Sequence, residues 1–262
     1  MTKKLLLTTD DFGMCHAINE GIVQAITQGL PTSTNFLAPA PWFREAAELA
    51  KRHKLAVGVH LCLTSDWDRL KWGPLTANRR LMTEDGSLPA LHTGLEALGA
   101  TDQDMYDELK AQVALVRKVY GPPTHVDTHM AGGQWGAGIL DRLQRVILKV
   151  AAEEGLPYTY EREQDTKRLR HFVEEDCQSG WSRDQLLAKL RAWTQPGVYH
   201  LYGHAALPSP ELYALCSLDH PSRVWAEDYR LKDLALYMDP ALRGDIESLG
   251  FQIVGVRDAL AA

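Results

Sequence analysis

The apolar run at the start of KKLLLTTDDFGMCHAINEGI gives way to two adjacent carboxylates, Asp10 and Asp11. Like charges side by side repel, so a fold that puts both at the end of a strand needs something nearby to compensate them. Three later stretches also set chemically capable residues in or after apolar runs: His60 in AVGVHLCL, His125, Asp127 and His129 in THVDTHM, and His204 after VYHLYG. In THVDTHM, Pro122 and Pro123 before and Gly132 and Gly133 after disfavour a helix, so the two imidazoles and the carboxylate alternate onto one face of a strand. His129 is nearest the carboxyl end and best placed for a site, and Asp127 is placed to orient an imidazole.

One Asp, two His and room for water form an open donor set of the kind that hydrolytic metals use. One carboxylate of the Asp10–Asp11 pair can then bind the cation while its neighbour takes a proton from water. From a regular strand the two would project to opposite faces, so the backbone must turn there, and the Phe12-Gly13 step permits it. Each stretch alone has a plainer reading: a water-washed strand face for THVDTHM, a satisfied core histidine at His60, an acidic helix N-terminus for DDFG. None of these explains all the stretches together.

The elements that would position these groups alternate between strand and helix. Strands are expected in KKLLLTT, TSTNFLA, LAVGVHLCL, THVDTHM, LPYTYE, GVYHLYGH and FQIVGV. Amphipathic helices are expected in HAINEGIVQAITQG, WFREAAELAKRHK and AGILDRLQRVILKVAAEEG, the first and last ending on Gly29 and Gly155. That alternation is the pattern of βα units in a parallel α/β sheet or barrel, where ligands bind at the carboxyl ends of the strands. The 262 residues suit one domain of this kind, spanning 1–262. An irregular stretch from about 66 to 101, with two tryptophans and several turn signals, reads equally as a binding loop or as a surface excursion.

Composition narrows the function classes. A formal net charge of −6 argues against a nucleic-acid partner and for a small, weakly charged substrate. No apolar run approaches membrane length, and the first residues are too short a run for a secretory leader. Cys15, Cys62, Cys177 and Cys216 form no CxxC pair, which fits a reducing cytoplasm, and nothing marks Cys15 or Cys62 as an activated nucleophile. Arg223, Glu227 and Arg230 stand at helical spacing and read as a salt-bridged helix face.

TTDDFGMCHAINEGI, AVGVHLCLT, PTHVDTHM and LYGHA, in that order, resemble segments of the YdjC-type carbohydrate deacetylases, which include chitooligosaccharide and hopanoid-linked N-acetylglucosamine deacetylases. The ending YRLKDLALYMDPALRGDIESLGFQIVGVRDAL is similar to the same family, so the resemblance covers most of the chain. It implies a distorted (β/α)7 barrel resembling the NodB-like polysaccharide deacetylase fold. It also implies a metal held by Asp11, His60 and His129, with Asp10 as base and His204 as general acid. Where relatives often continue HxDxH into a histidine-rich run and follow the late histidine with Pro-Gly, this chain has MAGGQWG, and Ala205-Ala206. Trp135, within that first departure, is a candidate for stacking on a sugar face.

The implied reaction is hydrolysis of an N-acetyl group from an amino sugar or short oligosaccharide by one divalent cation. Zinc is favoured by the imidazole ligands, with magnesium, cobalt or manganese as alternatives. A homodimer is compatible with all of this. A barrel phosphoesterase or amidohydrolase would need more metal ligands than are found, and a non-catalytic sugar-binding barrel would have lost a ligand or the base.

Overall fold

The computed structural model describes residues 3–130, 138–159, 174–217, 219 and 223–260. Its central strand is β1 (Lys3–Phe12), buried from Leu5 onward. Around it stand β2 (Ser33–Phe36), β3 (Val57–Leu61), β4 (Val126–Thr128), β5 (Glu174–Cys177), β6 (Gly197–Gly203) and β7 (Phe251–Val254). The order is β4-β3-β2-β1-β6-β5, every pairing is parallel, and β7 adds to the first half of β1, pairing Lys3–Leu6 with Phe251–Val254. β1 thus pairs β7 early and β2 late on the same flank. Among the described residues no pairing joins β4 to β5, so the sheet curls like a barrel and is not closed.

Between the strands run α1 (His16–Gln28), α2 (Phe43–His53), α3 (Thr93–Ala97), α4 (Asp102–Val119) and α5 (Ile139–Glu154). The second half adds α6 (Arg183–Ala192), α7 (Pro210–Ala214), α8 (Arg223–Ala226), α9 (Asp228–Tyr237), α10 (Leu242–Ser248) and α11 (Val256–Leu260). The larger helices bury one apolar stripe each: Met105, Leu109, Val113 and Val116 on α4 and Leu143, Ile147 and Val150 on α5. α2 ends on Lys54 and α5 on Gly155, both left-handed. No helix among the described residues is long and apolar enough to cross a membrane.

Among the described residues seven strands are found, the number expected from sequence, but their membership differs. LPYTYE contributes, within the described residues, one bridge from Tyr158 to Val126. The strand that takes its place is EEDC, an acidic edge strand with poor β-propensity that only its pairing to β6 defines.

Two local features shape the site. The register of β1 against β2 shifts between Thr9 and Phe12, and Asp11 within that shift has φ +75°, a left-handed conformation that aspartate tolerates better than most residues. The turn expected at the Asp pair is therefore made by Asp11 itself, with Gly13 following at φ +116°. The irregular 66–101 stretch is pinned down from α4, where buried Glu108 accepts hydrogen bonds from the backbone N–H of Leu75 and Thr76.

Candidate metal centre

Because all strands are parallel, Asp10 and Asp11, His60, His129 and His204 share the carboxyl-end side of the sheet. The turn at Asp11 sends its carboxylate inward with Asp10, and both are buried. Oδ1 of Asp11 lies 3.2 Å from Nδ1 of His129 and 3.5 Å from Nε2 of His60. One donor atom from each of the three lies within 4.8 Å of the others. The three ligands expected from sequence are thus one cluster.

Each imidazole is held from its far side by a carboxylate. Nδ1 of His60 is 2.7 Å from Oδ1 of Asp127, and Nε2 of His129 is 2.7 Å from Oδ1 of Asp66. With those nitrogens donating, Nε2 of His60 and Nδ1 of His129 turn their lone pairs toward Asp11, the tautomers that a cation requires. Asp127 plays the orienting part expected for it. Asp66 was not anticipated; it opens the irregular stretch directly after β3, where SDWD offers the only hint. Asp66→Asn, which keeps the size but weakens the acceptor, is expected to loosen metal binding about 10–100-fold. Titration of apo protein with zinc against a competing chelator measures this; an unchanged affinity would remove Asp66 from the centre.

Arg230 is the largest departure from the sequence reading. It lies not on a solvated salt-bridged helix face but in the interior, 2% exposed, its Nη2 donating to Oδ2 of Asp11 at 2.6 Å. α9 carries it across the sheet's mouth to a partner 219 residues away, and Trp67 packs against the guanidinium with 5.6 Å between charge and ring centre. Burial alone would push the Asp11 carboxyl up, but Arg230, with His129 and His204, holds it well below the usual carboxylate range. Oδ1, the oxygen that Arg230 does not take, has no hydrogen-bond partner of good geometry.

The residues present fit a divalent cation. That orphaned, buried Oδ1 between two imidazole lone pairs is a polar atom in need of a partner. Burial would lower both imidazoles, yet Asp127 raises the pKa of His60, and Asp66, Cys62 and Asp11 raise that of His129 well above its ordinary value. Surroundings that favour positive charge on both rings suit a cation that replaces their protons.

Asp10 belongs to a second group with His60 and Asp127. That group is closed by hydrogen bonds: Nδ2 of Asn35 donates to Oδ1 of Asp10 at 2.8 Å and also to Oδ2 of Asp127, whose other oxygen takes His60. These bonds brace Asp10 and the ring of His60 against each other. Below them, buried His125 packs on Gly58, where a Cβ would come within 2.5 Å of its ring, so the first imidazole of THVDTHM is floor and not ligand.

His204 completes the constellation, its Nε2 3.9 Å from Oδ2 of Asp11. Its Nδ1 is 2.6 Å from Oγ of Ser179, and its backbone N–H donates to Asp233 at 2.8 Å. Burial above all, with Arg230, lowers the ring to about 3, so it rests neutral. Burial likewise pushes the Asp233 carboxyl up to about 6. Ser179 just after β5, Asp233 on α9 and Asn35 in β2 carried no signal beyond being polar. Burial raises the thiol of Cys15 to about 12 and raises that of Cys62, which agrees with neither being a nucleophile. Trp135 lies outside the described residues.

Comparison with known proteins places this geometry in context. A model of the family described as YdjC-like protein matches residues 4–248. A carbohydrate deacetylase of Thermus thermophilus is 34% identical over 84% of this chain and 83% of its own length. A chitooligosaccharide deacetylase of Yersinia enterocolitica is 29% identical over 98% of this chain and all of its own. Among solved structures, a candidate cellobiose-phosphate cleavage protein of Enterococcus faecalis superposes with a TM-score of 0.80 at 24% identity, covering 99% of this chain and 100% of that one. A mutant CE4-family pseudoenzyme with restored activity gives a TM-score of 0.51 at 11% identity, covering 99% of this chain and 68% of that one. These two likenesses concern the fold, and they agree with the α/β deacetylase-like barrel expected from sequence.

Proposed function

The chain belongs to the YdjC-like family, and on that premise we propose that it is a metal-dependent carbohydrate deacetylase that removes an N-acetyl group from an amino sugar or short oligosaccharide. The observation that carries the reading is the buried Asp11–His60–His129 cluster, with each imidazole oriented from behind and His204 beside it. The names of the Thermus and Yersinia relatives support the substrate class.

Asp11, His60 and His129 would hold one divalent cation, zinc by donor type, which when bound polarises the acetamide carbonyl and acidifies a water. Asp127 and Asp66 keep the two imidazoles in the tautomers that face Asp11. Arg230 keeps Asp11 ionised and fixes which of its oxygens faces the histidines. Asp10, braced by Asn35, takes the proton of the attacking water. His204, neutral at rest, receives that proton and delivers it to the departing amine nitrogen, with Ser179 and the Asp233 carboxylate holding its ring and backbone in place. One proton travels from water to nitrogen, the C–N bond breaks, and the free amino sugar leaves with acetic acid, which gives its remaining proton to solvent as acetate, so that both residues end as they began.

The reading is tested by acetate release from N-acetylglucosamine, its short β-linked oligomers and other N-acetylated sugars with metal-loaded protein. Release from at least one is expected. Bound metal without acetate from any of them would keep the centre and overturn the substrate class. A two-metal phosphoesterase is the less favoured reading, because Asp10 and Asp127 already share the amide of Asn35 in hydrogen bonds.

A further inference from the structure

We propose that Trp225 is the platform on which the sugar ring of the substrate stacks, and that Arg230 holds this platform in register with Asp11. The inference rests on the deacetylase reading for the identity of the ligand and on the packing of the chain for the residue.

Trp67, Trp72 and Trp193 are buried, whereas Trp225 leaves 38% of its surface open. An indole left in water forgoes a large hydrophobic gain, and it is a feature of ligand sites, where aromatic faces flank a few placed polar groups. Trp225 stands beside the chemistry: its ring centre is 5.6 Å from that of His204, with the planes at 86°. Tyr229 supports it from another side at 4.8 Å and 83°, and Tyr229 in turn packs so closely on Gly180 that a Cβ there would lie 2.4 Å from its ring. Trp42 is exposed to a similar degree, but its ring meets that of His16, which pairs with Glu45 at 2.8 Å.

The backbone of Trp225 is fixed as well. Its carbonyl accepts from Nε of Arg230 at 2.9 Å, while Nη2 of the same guanidinium donates to Asp11 at 2.6 Å. A guanidinium is planar and rigid, so one group sets the spacing between the rim of the site and the ligand carboxylate. That bond adds a tie from α8, a helix of only four residues, to the site. A sugar lying on the indole would present its acetamide toward His204 and the triad. This gives the late WAEDYR segment a function: Trp225 grips the sugar, and Arg230, five residues on, ties that grip to the metal ligand.

The test compares wild type with Trp225→Ala and Trp225→Phe. Binding of N,N′-diacetylchitobiose is measured by calorimetry, and acetate release gives kcat and KM. Trp225→Ala is expected to weaken binding and raise KM about tenfold, with kcat changed less than about threefold, and Trp225→Phe to recover much of the loss. Metal content equal to wild type confirms an intact centre. Unchanged binding and KM in Trp225→Ala would overturn the platform while leaving the deacetylase reading standing. Binding that depends on Trp225 without any acetate release would uphold the platform and overturn that reading. Absence of binding and of release in the wild type would overturn both.

Discussion

Asp11→Asn is expected to empty the centre of its cation and to lower kcat/KM by about 10³-fold or more, because it removes the one anionic ligand among three. The same change leaves the Arg230 guanidinium buried against a neutral amide. Losing one partner of a buried ion pair costs about 3–5 kcal/mol, which in a chain of this size lowers the unfolding midpoint by roughly 6–20 °C. The two effects are separable. A double variant, Asp11→Asn with Arg230→Met, removes the stranded charge and should regain much of the stability with none of the metal affinity. Metal content by elemental analysis and thermal unfolding of the apo proteins measure these. Full metal content in Asp11→Asn would exclude Asp11 as a ligand, whatever the activity shows.

Asp10→Asn is expected to do the reverse: keep the metal and lose the rate. The amide preserves the volume, and its oxygen can still accept the Asn35 bond that Oδ1 of Asp10 accepts at 2.8 Å. What it lacks is a basic carboxylate, and a lost general base lowers kcat by about 10²–10⁴-fold. Stability and metal content should stay near those of wild type, since His60, His129 and Asp11 are unchanged. Near-normal kcat would move the base elsewhere, with neutral His204 the next candidate. Metal loss together with activity loss would instead make Asp10 part of the metal centre.

How far the site was legible depends on how each residue reaches it. Asp10, Asp11, His60, His129 and His204 lie at the ends of apolar strands, where the change from apolar to polar stands out and parallel strands must bring the ends together. The turn at the Asp pair was legible for the same reason: neighbours on a strand cannot share a face unless the backbone bends, and Asp11 bends it. Arg230, Asp66, Ser179 and Asp233 reach the site differently. They sit on a helix or in connecting stretches, where charged and polar residues are ordinary, and only tertiary packing turns Arg230 inward onto a carboxylate 219 residues away. The spacing of Arg223, Glu227 and Arg230 suggested one helix face, whereas Arg223 lies on α8 and Arg230 on α9, with Glu227 between the two helices, and spacing could not say which way Arg230 faces. Asn35 sits in a strand already rich in polar residues, so its end gave no contrast. β5 was missed because EEDC has the composition of a solvated loop and becomes a strand only by pairing with β6.

The irregular 66–101 stretch begins against the site. Its first residues wall the centre: Asp66 binds His129, and Trp67 donates its indole N–H to Sδ of Met14 and lies against Arg230. Such packing ties the loop after β3 to the ligands contributed by β1 and β4.

The central claim is a single cation at Asp11, His60 and His129 that drives removal of an acetyl group from a sugar nitrogen. Its most direct measurement is acetate release from N-acetylglucosamine oligomers by protein stripped with a chelator and then titrated with zinc. The account predicts no release from the stripped protein and recovery that saturates at one zinc per chain. Release that survives complete metal removal would contradict it.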